Sequence, residues 1–318
     1  MAGTARKPLN WLVALALKSF IALCGFLVVA WSALYIYPGL SILPFVAKAK
    51  LSPFCTVWSG VRDAQVKVDQ GQMERKLFAQ SQVVRTEPGY KLWSTPDGEF
   101  WVPDTSDEIL SILLAQQRRK IYGDADHGGV KAGDIVLDCG AHIGTYVKTA
   151  LDAGASKIVA IEPSPEALVC LRRNFGKYEA SGKLVIYPKG VWDEEKRLVF
   201  FANGNGAAGD SFLTHAEDAK PIADIPVTTV DKIVTELGLP RVDVIKADIK
   251  GAGTRMVNGA AGTIWRFHPR MIISTEEAPE DPAALYSLVM SLGPNYKFRA
   301  GPCLFTGDEI RNDTIFFQ

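Results

Sequence analysis

The hydrophobic pattern of the first fifty residues differs from that of the rest of the chain. Residues 11–37 are apolar apart from one lysine and two serines, and no residue in 19–47 is charged. A helix of this length and composition can cross a hydrocarbon core about 30 Å thick. The pattern therefore predicts a single-pass membrane anchor through residues 11–37, inside an N-terminal region of residues 1–50.

Two other interpretations fit this apolar segment. One is a secretory signal peptide that begins with Arg6 and Lys7, although a cut after Ser32 would leave an apolar new terminus. The other is a buried helix of a soluble protein. The orientation of an anchor stays open, because basic residues lie on both sides of the segment.

The next segment, residues 51–89, is predicted to be a linker or a helical stalk. Residues 62–85 are rich in Gln, Lys, Arg and Val, and an interruption is expected near Gly71. Beyond the stalk, two short apolar segments flank Pro96-Asp97-Gly98, a pattern typical of a β-hairpin. We therefore place a folded domain at residues 90–318.

Within this domain, short β-branched segments alternate with amphipathic segments of helical spacing. Strands are predicted at 135–138, 157–162, 184–188, 242–248 and 271–274, and helices at 144–153 and 164–176. Consecutive β-α-β units with right-handed crossovers give an α/β fold with a parallel sheet. Two β-rich pieces, 297–300 and 314–317, are expected to close the sheet as an antiparallel pair, and a glycine-rich loop at 203–206 to cover the site.

The strand that ends at Asp138 runs into a glycine-bearing turn. Gly140 and Gly144 permit close backbone approach and present free N–H groups to a ligand. About 24 residues later the next strand ends at Glu162, and an acid at that spacing can accept hydrogen bonds from both hydroxyls of a ribose. Turn and acid together predict a nucleoside site, and an ordinary strand-to-helix connection is the alternative.

Further candidates lie at other strand ends, because ligands of an open α/β sheet bind beyond the carboxyl ends of its strands. Asp248 stands between Lys246 and Lys250, and their alternation would place all three on one side of the pleat. Two ammonium groups keep a carboxylate ionised, so Asp248 can orient a hydroxyl or hold an amine. An exposed set of ion pairs is the alternative. Glu276 is a candidate at the end of another strand.

One more strand end carries Val191, Trp192 and Asp193. There, the indole of Trp192 can pack on a flat base, with Asp193 near the exocyclic amine of that base. A core tryptophan beside a solvated aspartate is the alternative interpretation.

Composition narrows the possible partners. The chain has 35 basic and 35 acidic residues, but residues 1–50 hold five basic and no acidic residues, which leaves 30 basic against 35 acidic in the remainder. A nucleic-acid binder would show a basic excess in its folded part, so no nucleic-acid partner is expected. Five scattered cysteines without a C-x-x-C pair predict no disulfide framework and a reducing compartment, and four histidines without ligand spacing predict no metal site.

These motifs resemble S-adenosylmethionine-dependent methyltransferases of the FkbM type. The resemblance runs from about Glu99 to the C-terminus and rests on five segments: Val136–Gly144, Ala160–Ser164, Val227–Asp231, Val242–Gly253 and Gly301–Cys303. It implies a class I methyltransferase (Rossmann-like) sheet of seven strands with a reversed last pair and helices on both faces. It also implies methyl transfer to a hydroxyl of a sugar, a lipid-linked glycan or a natural product.

The positions at the strand ends, taken together with this resemblance, give the candidate residues their roles. The implied contacts of the cofactor S-adenosylmethionine are Asp138, Cys139, Gly140, Ala141, His142, Gly144, Thr145, Glu162, Pro163, Ser164, Val191, Trp192 and Asp193. The implied catalytic residues are Lys246, Asp248, Lys250 and Glu276.

Three positions depart from the family pattern. Lys250 and Gly253 stand where the family has glutamate, and His142 replaces a more usual asparagine. If those acids position the acceptor or a proton, the chain has altered substrates or no activity.

Two functions of different classes follow from this pattern. One is a membrane-anchored O-methyltransferase, and the other is a catalytically degenerate methyltransferase fold that binds or scaffolds at the membrane. A dehydrogenase is a weaker third possibility, because the glycine turn lacks G-x-G-x-x-G. The availability of S-adenosylmethionine in the cytoplasm and the expected absence of disulfides favour a catalytic domain on the cytoplasmic side.

Overall fold

The computed structural model describes residues 8–36, 48–106, 108–202, 211–213, 220–276, 281–306 and 308–318. The strands are β1 (Lys50–Leu51), β2 (Gln82–Glu87), β3 (Tyr90–Thr95), β4 (Gly98–Pro103), β5 (Ile135–Cys139), β6 (Lys157–Ile161), β7 (Leu184–Tyr187), β8 (Gly190–Val191), β9 (Lys196–Ala202), β10 (Lys220–Thr228), β11 (Val244–Ala247), β12 (Arg270–Ser274), β13 (Phe298–Ala300), β14 (Cys303–Thr306), β15 (Glu309–Asn312) and β16 (Thr314–Phe317). The helices are α1 (Pro8–Ile36), α2 (Val57–Ala79), α3 (Ile109–Arg118), α4 (Thr145–Asp152), α5 (Pro165–Ala180), α6 (Val230–Glu236), α7 (Gly253–Asn258), α8 (Ala261–Phe267) and α9 (Pro282–Leu292). The predicted loop at 203–206 lies outside the described residues.

A mixed sheet of seven strands forms the centre of the fold, in the order β7-β6-β5-β11-β12-β16-β13. The first five strands of this order are parallel, whereas β16 is antiparallel to both of its neighbours. The register places Leu137 beside both Val159 and Ile245. The predicted parallel sheet and its antiparallel C-terminal pair are therefore confirmed.

Helices cover both faces of this sheet, because successive side chains of each strand point to opposite faces. On one face, Val136 and Ile158 belong to a core with residues of α3, α4 and α5. On the other face, Leu137 and Val159 belong to a core with residues of α6, α7, α8 and α9. Every residue of β5 is buried, which explains why this strand reads as a continuous apolar run.

A three-stranded antiparallel sheet, β2-β3-β4, lies before the central sheet in the chain and contains the predicted hairpin. It is attached to α5 through Asn174, whose side chain bonds both the backbone N–H and the carbonyl of Trp101, at 2.7 and 3.2 Å. Strand β2 falls within the predicted linker yet pairs with β3 of the predicted domain. The predicted boundary at residue 89 thus falls inside one sheet.

Helix α2 is continuous from Val57 to Ala79, so the predicted interruption near Gly71 is wrong. Its first turn is fixed by a capping box between Thr56 and Ser59, and its last turn buries Leu77 in the core beneath the central sheet. The predicted stalk is therefore packed on the folded body. The division of the chain into an anchor (1–50), a linker or stalk (51–89) and a domain (90–318) stays a prediction.

A disulfide joins Cys55, just before α2, to Cys303 in β14, with the Cα atoms 5.8 Å apart. The expectation that no cysteines pair is wrong for these two. They are 248 residues apart, and such a separation gives no spacing signal that would identify partners. Cys24, Cys139 and Cys170 are free.

Helix α1 contains an apolar segment, Val13–Ser32, with a mean hydropathy of 2.4, and no part of this segment is buried inside the protein. The interpretation as a buried core helix is therefore wrong. The segment is long and apolar enough to cross a membrane, and a signal sequence would share both properties.

We expect Gly144→Ala to lower the free energy of unfolding by about 1–3 kcal/mol. Gly144 has φ +94°, and a Cβ there would lie 2.4 Å from Cε2 of the buried Phe175. The matched control is Gly176→Ala inside α5, where a Cβ meets nothing within 4 Å. Thermal unfolding of the full chain in detergent measures both, and a Gly144→Ala chain as stable as the control would contradict the packing described.

Candidate active site

A cavity of about 430 Å³ opens where β5, β6, β11 and β12 end. The predicted site residues that line it are Gly140, Ala141, His142, Thr145, Glu162, Pro163, Val191, Lys246, Asp248, Lys250 and Glu276. The predicted residues outside its lining, within the described ranges, are Asp138, Cys139, Gly144, Ser164, Trp192 and Asp193. The structure thus brings the first group of residues together around one cavity and separates them from the residues that do not line it.

The glycine turn after β5 is held tightly against its neighbours. Gly140 has φ +78°, and a Cβ at this position would lie 2.1 Å from the backbone oxygen of Asp248. The N–H groups of Gly140 and Ala141 both donate to the carbonyl of Ile161, at 2.9 and 3.1 Å, and that of Gly144 donates to the carbonyl of Ala141 at 2.9 Å. The expectation that Gly140 and Gly144 present free N–H groups to a ligand is therefore wrong. Only glycine fits at residue 140, because a Cβ would collide with the backbone of Asp248.

Glu162 presents a carboxylate with unused acceptor capacity. Its Oε2 accepts a hydrogen bond of 2.7 Å from the backbone N–H of His142, and its Oε1 accepts one of 2.8 Å from that of Ser164. Since each carboxylate oxygen can accept two hydrogen bonds, one site per oxygen remains for a ligand. Burial raises the pKa of Glu162 to about 7, although the two backbone N–H groups lower it.

His142 contributes a neutral ring to the cavity. Its backbone is left-handed, with φ 49°, which turns its N–H toward Glu162. Both ring nitrogens are buried and have no hydrogen-bond partner among the described residues. Burial, followed by the ammonium group of Lys250, lowers the pKa of His142 to about 4. The imidazole is therefore uncharged near neutral pH and can donate or accept one hydrogen bond to a ligand.

Asp138 and Lys246 form an ion pair beneath the cavity. Lys246 Nζ lies 2.9 Å from Asp138 Oδ1, and the same ammonium donates to the carbonyl of Gly140 at 2.9 Å. Both side chains are at least 96% buried. Burial lowers the pKa of Lys246, but the carboxylates of Asp138 and Asp248 outweigh it and raise that pKa. The exposed ion-pair set that we considered from sequence is wrong for Lys246, and Asp138 supports the turn through its ion pair.

Asp248 carries the second polar centre of the cavity. Its Oδ2 accepts a hydrogen bond of 2.8 Å from the hydroxyl of Tyr122, a residue that sequence reasoning missed because it lies in a loop without a motif. Burial raises the pKa of Asp248, but Lys250 and Lys246 outweigh it and hold that pKa below its usual value. Asp248 is therefore ionised at neutral pH.

Strand β11 ends at Ala247, so the predicted alternation of three charged residues along a pleat is wrong. Asp248 and Lys250 follow in a turn in which Lys250 has φ 51°. They still line the cavity beside Lys246, because the turn folds back over the end of the strand.

Helix α2 supplies a wall of the cavity that was not predicted. Lys67, Gln70, Gly71 and Glu74 face the cavity from this helix. Lys67 Nζ lies 2.8 Å from Oε1 of Glu276, which follows β12. Apolar residues of α3 form the adjoining wall: Ile109, Ile112 and Leu113. The helical spacing of residues 67, 70 and 74 is the signal that identifies such a face.

Trp192 and Asp193 lie away from the cavity. The indole packs against Phe212 with ring centroids 6.2 Å apart, and Asp193 pairs with Arg255 at 2.6 Å. Trp192 is thus a core residue, and Asp193 is held by an arginine. The interpretation of this pair as a base-recognition site is not what the structure shows.

The residues around the cavity also match a known family. The profile described as Methyltransferase FkbM domain matches residues 138–299, just over half of the 318 residues. The chain belongs to the FkbM methyltransferase family. The match includes the glycine turn, Glu162, Asp248 and Glu276, whereas the FkbM profile does not reach the walls built by α2 and α3.

Similar proteins include 31-O-demethyl-FK506 methyltransferase FkbM of Streptomyces tacrolimicus, 21% identical over 225 residues, 60% of this chain and 85% of that protein. The solved methyltransferase FkbM of Methylobacillus flagellatus KT has 16% identity and a TM-score of 0.43, and the match covers 81% of this chain and 60% of that one. Fibrillarin of Aeropyrum pernix, solved with natively bound S-adenosyl-L-methionine, has 14% identity and a TM-score of 0.36, with 74% and 98% of the two chains covered.

Proposed function

We propose that this FkbM-family protein is a membrane-anchored, S-adenosylmethionine-dependent O-methyltransferase. Its acceptor is a hydroxyl of a sugar, a lipid-linked glycan or a natural product. The observation that carries the proposal is that two of the carboxylates lining one cavity, Glu162 and Asp248, have different partners. Glu162 keeps free acceptor sites, whereas Asp248 is ionised and bonded to Tyr122.

The residues of the turn fit the proposed cofactor. Glu162 has one free acceptor site on each oxygen, which matches the two hydroxyls of a ribose. Glycine at residue 140 is required by the packing of the turn on the backbone of Asp248, and the turn lines the cavity through Gly140, Ala141 and His142. When bound, S-adenosylmethionine supplies an electrophilic methyl group on a sulfonium. Gly140, His142 and Glu162 would hold it.

Asp248 is the residue we assign to the acceptor. Its carboxylate lies two strands from Glu162 along the sheet edge and can accept a hydrogen bond from an acceptor hydroxyl. Tyr122 holds one carboxylate oxygen at 2.8 Å and thereby fixes the direction of the other. Orientation of the hydroxyl oxygen toward the methyl group is the main contribution expected from the protein.

A second function, binding or scaffolding without catalysis, is favoured by the segment Val242–Gly253. Lys250 and Gly253 replace the acids of the family pattern, and Gly253 is buried at the first position of α7. A chain that binds the cofactor without transferring its methyl group would serve as a binding or scaffolding subunit. Cofactor binding is common to both functions, so methyl transfer decides between them.

Replacement of Glu162 by Gln should weaken S-adenosylmethionine binding about 10- to 100-fold, since the carboxylate provides charge-assisted acceptors. The pKa of Glu162 is about 7 without ligand, and protonation removes acceptor capacity. Affinity should therefore fall about tenfold from pH 8 to pH 6 and stay level above the pKa.

Isothermal titration calorimetry on the full chain in detergent measures this affinity. The matched control is Glu194→Gln, at an exposed glutamate paired with Lys196. Equal affinities of the Glu162→Gln variant and the parent across this pH range would contradict the role of Glu162.

Asp248→Asn should reduce methyl transfer about 10²- to 10⁴-fold, because the amide is a weaker acceptor and no longer takes a proton. Cofactor affinity should change less than about threefold, since Glu162 and the turn are untouched. The measurement is the transfer of a labelled methyl group from S-adenosylmethionine into a cell extract. Asp152→Asn, at an exposed residue, is the control. A parent chain that binds the cofactor but transfers no methyl group would support the scaffolding function instead.

Membrane anchoring through α1 is part of the proposal. The full chain should stay with membranes after an alkaline wash. The double variant Leu23→Arg and Leu27→Arg should be released, because each arginine at the centre of a span costs about 2.5–3.5 kcal/mol. N-terminal sequencing provides the opposing outcome, since a mature chain that begins after Ser32 would identify a cleaved signal peptide.

The cytoplasmic orientation now rests on cofactor supply alone. The second argument, an absence of disulfides, fails because Cys55 and Cys303 are bonded. Structural disulfides persist in oxidising compartments. Protease treatment of intact and of lysed cells measures directly on which side of the membrane the domain lies. Protection of the domain in intact cells, followed by cleavage after lysis, is the cytoplasmic result. Cleavage from outside in intact cells contradicts it.

A further inference from the structure

The cavity is elongated along the edge of the central sheet. Glu162 follows β6, Gly140 follows β5, Asp248 follows β11 and Glu276 follows β12, and these four strands are consecutive in the sheet. Three strand spacings correspond to about 14 Å. With the cofactor held at the β6 and β5 end, as the proposed function requires, the other half of the cavity is left for the acceptor.

Helix α2 forms one side of this acceptor half. Lys67 reaches across to Glu276 at 2.8 Å, and Gln70 and Glu74 extend the same face by one and two turns. Gln70 is itself fixed, because its Oε1 accepts a hydrogen bond from Arg119 at 2.7 Å and its Nε2 donates to Glu74 at 2.8 Å. The wall therefore offers donors and acceptors at fixed positions, as recognition of a hydroxylated acceptor needs.

The beginning of α2 is held by the C-terminal part of the chain. The Cys55–Cys303 disulfide lies one residue before the N-cap of the helix. Nearly two turns into the helix, Oδ2 of the buried Asp63 accepts a hydrogen bond of 2.9 Å from the backbone N–H of Cys303. Gly60 lies between these two attachments, and a Cβ there would be 2.8 Å from Ile310. These contacts fix the position and the direction of the helix that carries Lys67.

We propose that the polar face of α2 binds the acceptor and that the Cys55–Cys303 disulfide, together with Asp63, positions this face. The connection between the anchor and the methyltransferase fold is then part of the active site. The cofactor half is independent of it, since Gly140 and Glu162 are held by contacts with β6 and His142. Loss of the disulfide should therefore affect acceptor recognition more than cofactor binding.

The first test counts thiols in the full chain. Membranes are lysed with an alkylating reagent present, and the protein is then denatured without reductant. We expect three alkylated cysteines, the free Cys24, Cys139 and Cys170, and five after reduction. Five without reductant would show that the disulfide does not form and would overturn the proposal.

The second test compares cofactor and acceptor in variants of the full chain. In the double variant Cys55→Ser/Cys303→Ser, the concentration of cell extract that gives half-maximal methyl transfer should rise about tenfold. This is the rise expected if only about a tenth of the molecules hold α2 in the position that binds the acceptor. The affinity for S-adenosylmethionine and the maximal rate should change less than about threefold. Treatment of the parent with a reductant should reproduce the effect, and the same treatment of the variant should add nothing.

Two further variants separate positioning from general stability. Cys170→Ser removes a buried free thiol from the core and should leave half-saturation by extract unchanged. Lys67→Met keeps the apolar stem of the side chain but loses the contact with Glu276. This variant should raise the half-saturating concentration of extract by the same factor, even if the disulfide variant fails to fold. Equal losses of cofactor and acceptor affinity in the Lys67 variant would overturn the proposal. A parent that binds no S-adenosylmethionine would instead overturn the proposed function.

Discussion

The buried contact between Asp138 and Lys246 is the interaction on which the site depends. The ammonium group of Lys246 neutralises the carboxylate of Asp138 at the end of β5 and donates to the carbonyl of Gly140. It also lies near Asp248, so the glycine turn and Asp248 share one buried cation. A buried pair of this kind is strongly destabilising if one partner is lost, because the other charge is left without compensation. Lys246 therefore stabilises the glycine turn through Asp138 and Gly140, and its charge also helps to keep Asp248 ionised.

The ends of four consecutive strands line the cavity. Strands β5 and β6 end at backbone groups and at Glu162, whereas β11 and β12 end at Asp248 and Glu276. In the proposed function, the first pair holds the ribose of the cofactor and the second pair holds the acceptor hydroxyl. The family match, residues 138–299, includes these four strand ends, and the wall with Lys67 lies outside it, on α2. If α2 binds the acceptor as we propose, substitutions in this helix change acceptor recognition and leave the residues of the proposed cofactor site unaltered.

Much of the fold follows from local patterns. The strands of the central sheet are short apolar runs because both faces are buried, and the turn at Gly140 is glycine because the backbone of Asp248 occupies the place of a side chain. Glu162 was identified by its distance from the turn. The apolar strands and the spacing of Glu162 are local features, and a sequence pattern indicates them directly. The reason for glycine at residue 140 is a contact with Asp248, which is distant in the sequence.

The features that could not be predicted from the sequence depend on contacts between distant segments. The Cys55–Cys303 bond, the contact of Lys67 with Glu276 and the hydrogen bond from Tyr122 to Asp248 each join residues more than a hundred positions apart. Trp192 illustrates the opposite error: its place at a strand end suggested a ligand contact, yet it packs on Phe212. Only the folded arrangement distinguishes a side chain that faces a cavity from one that supports it.

The central claim is that Glu162 and Asp248 divide one cavity between a nucleoside and an acceptor. A crystal structure of the full chain with S-adenosylhomocysteine tests it most directly. We expect both ribose hydroxyls within about 3 Å of the two Glu162 oxygens, with the sulfur directed toward Asp248 and the space beside Lys67 left open. A nucleoside bound along α2, or one whose ribose does not contact Glu162, would contradict the account.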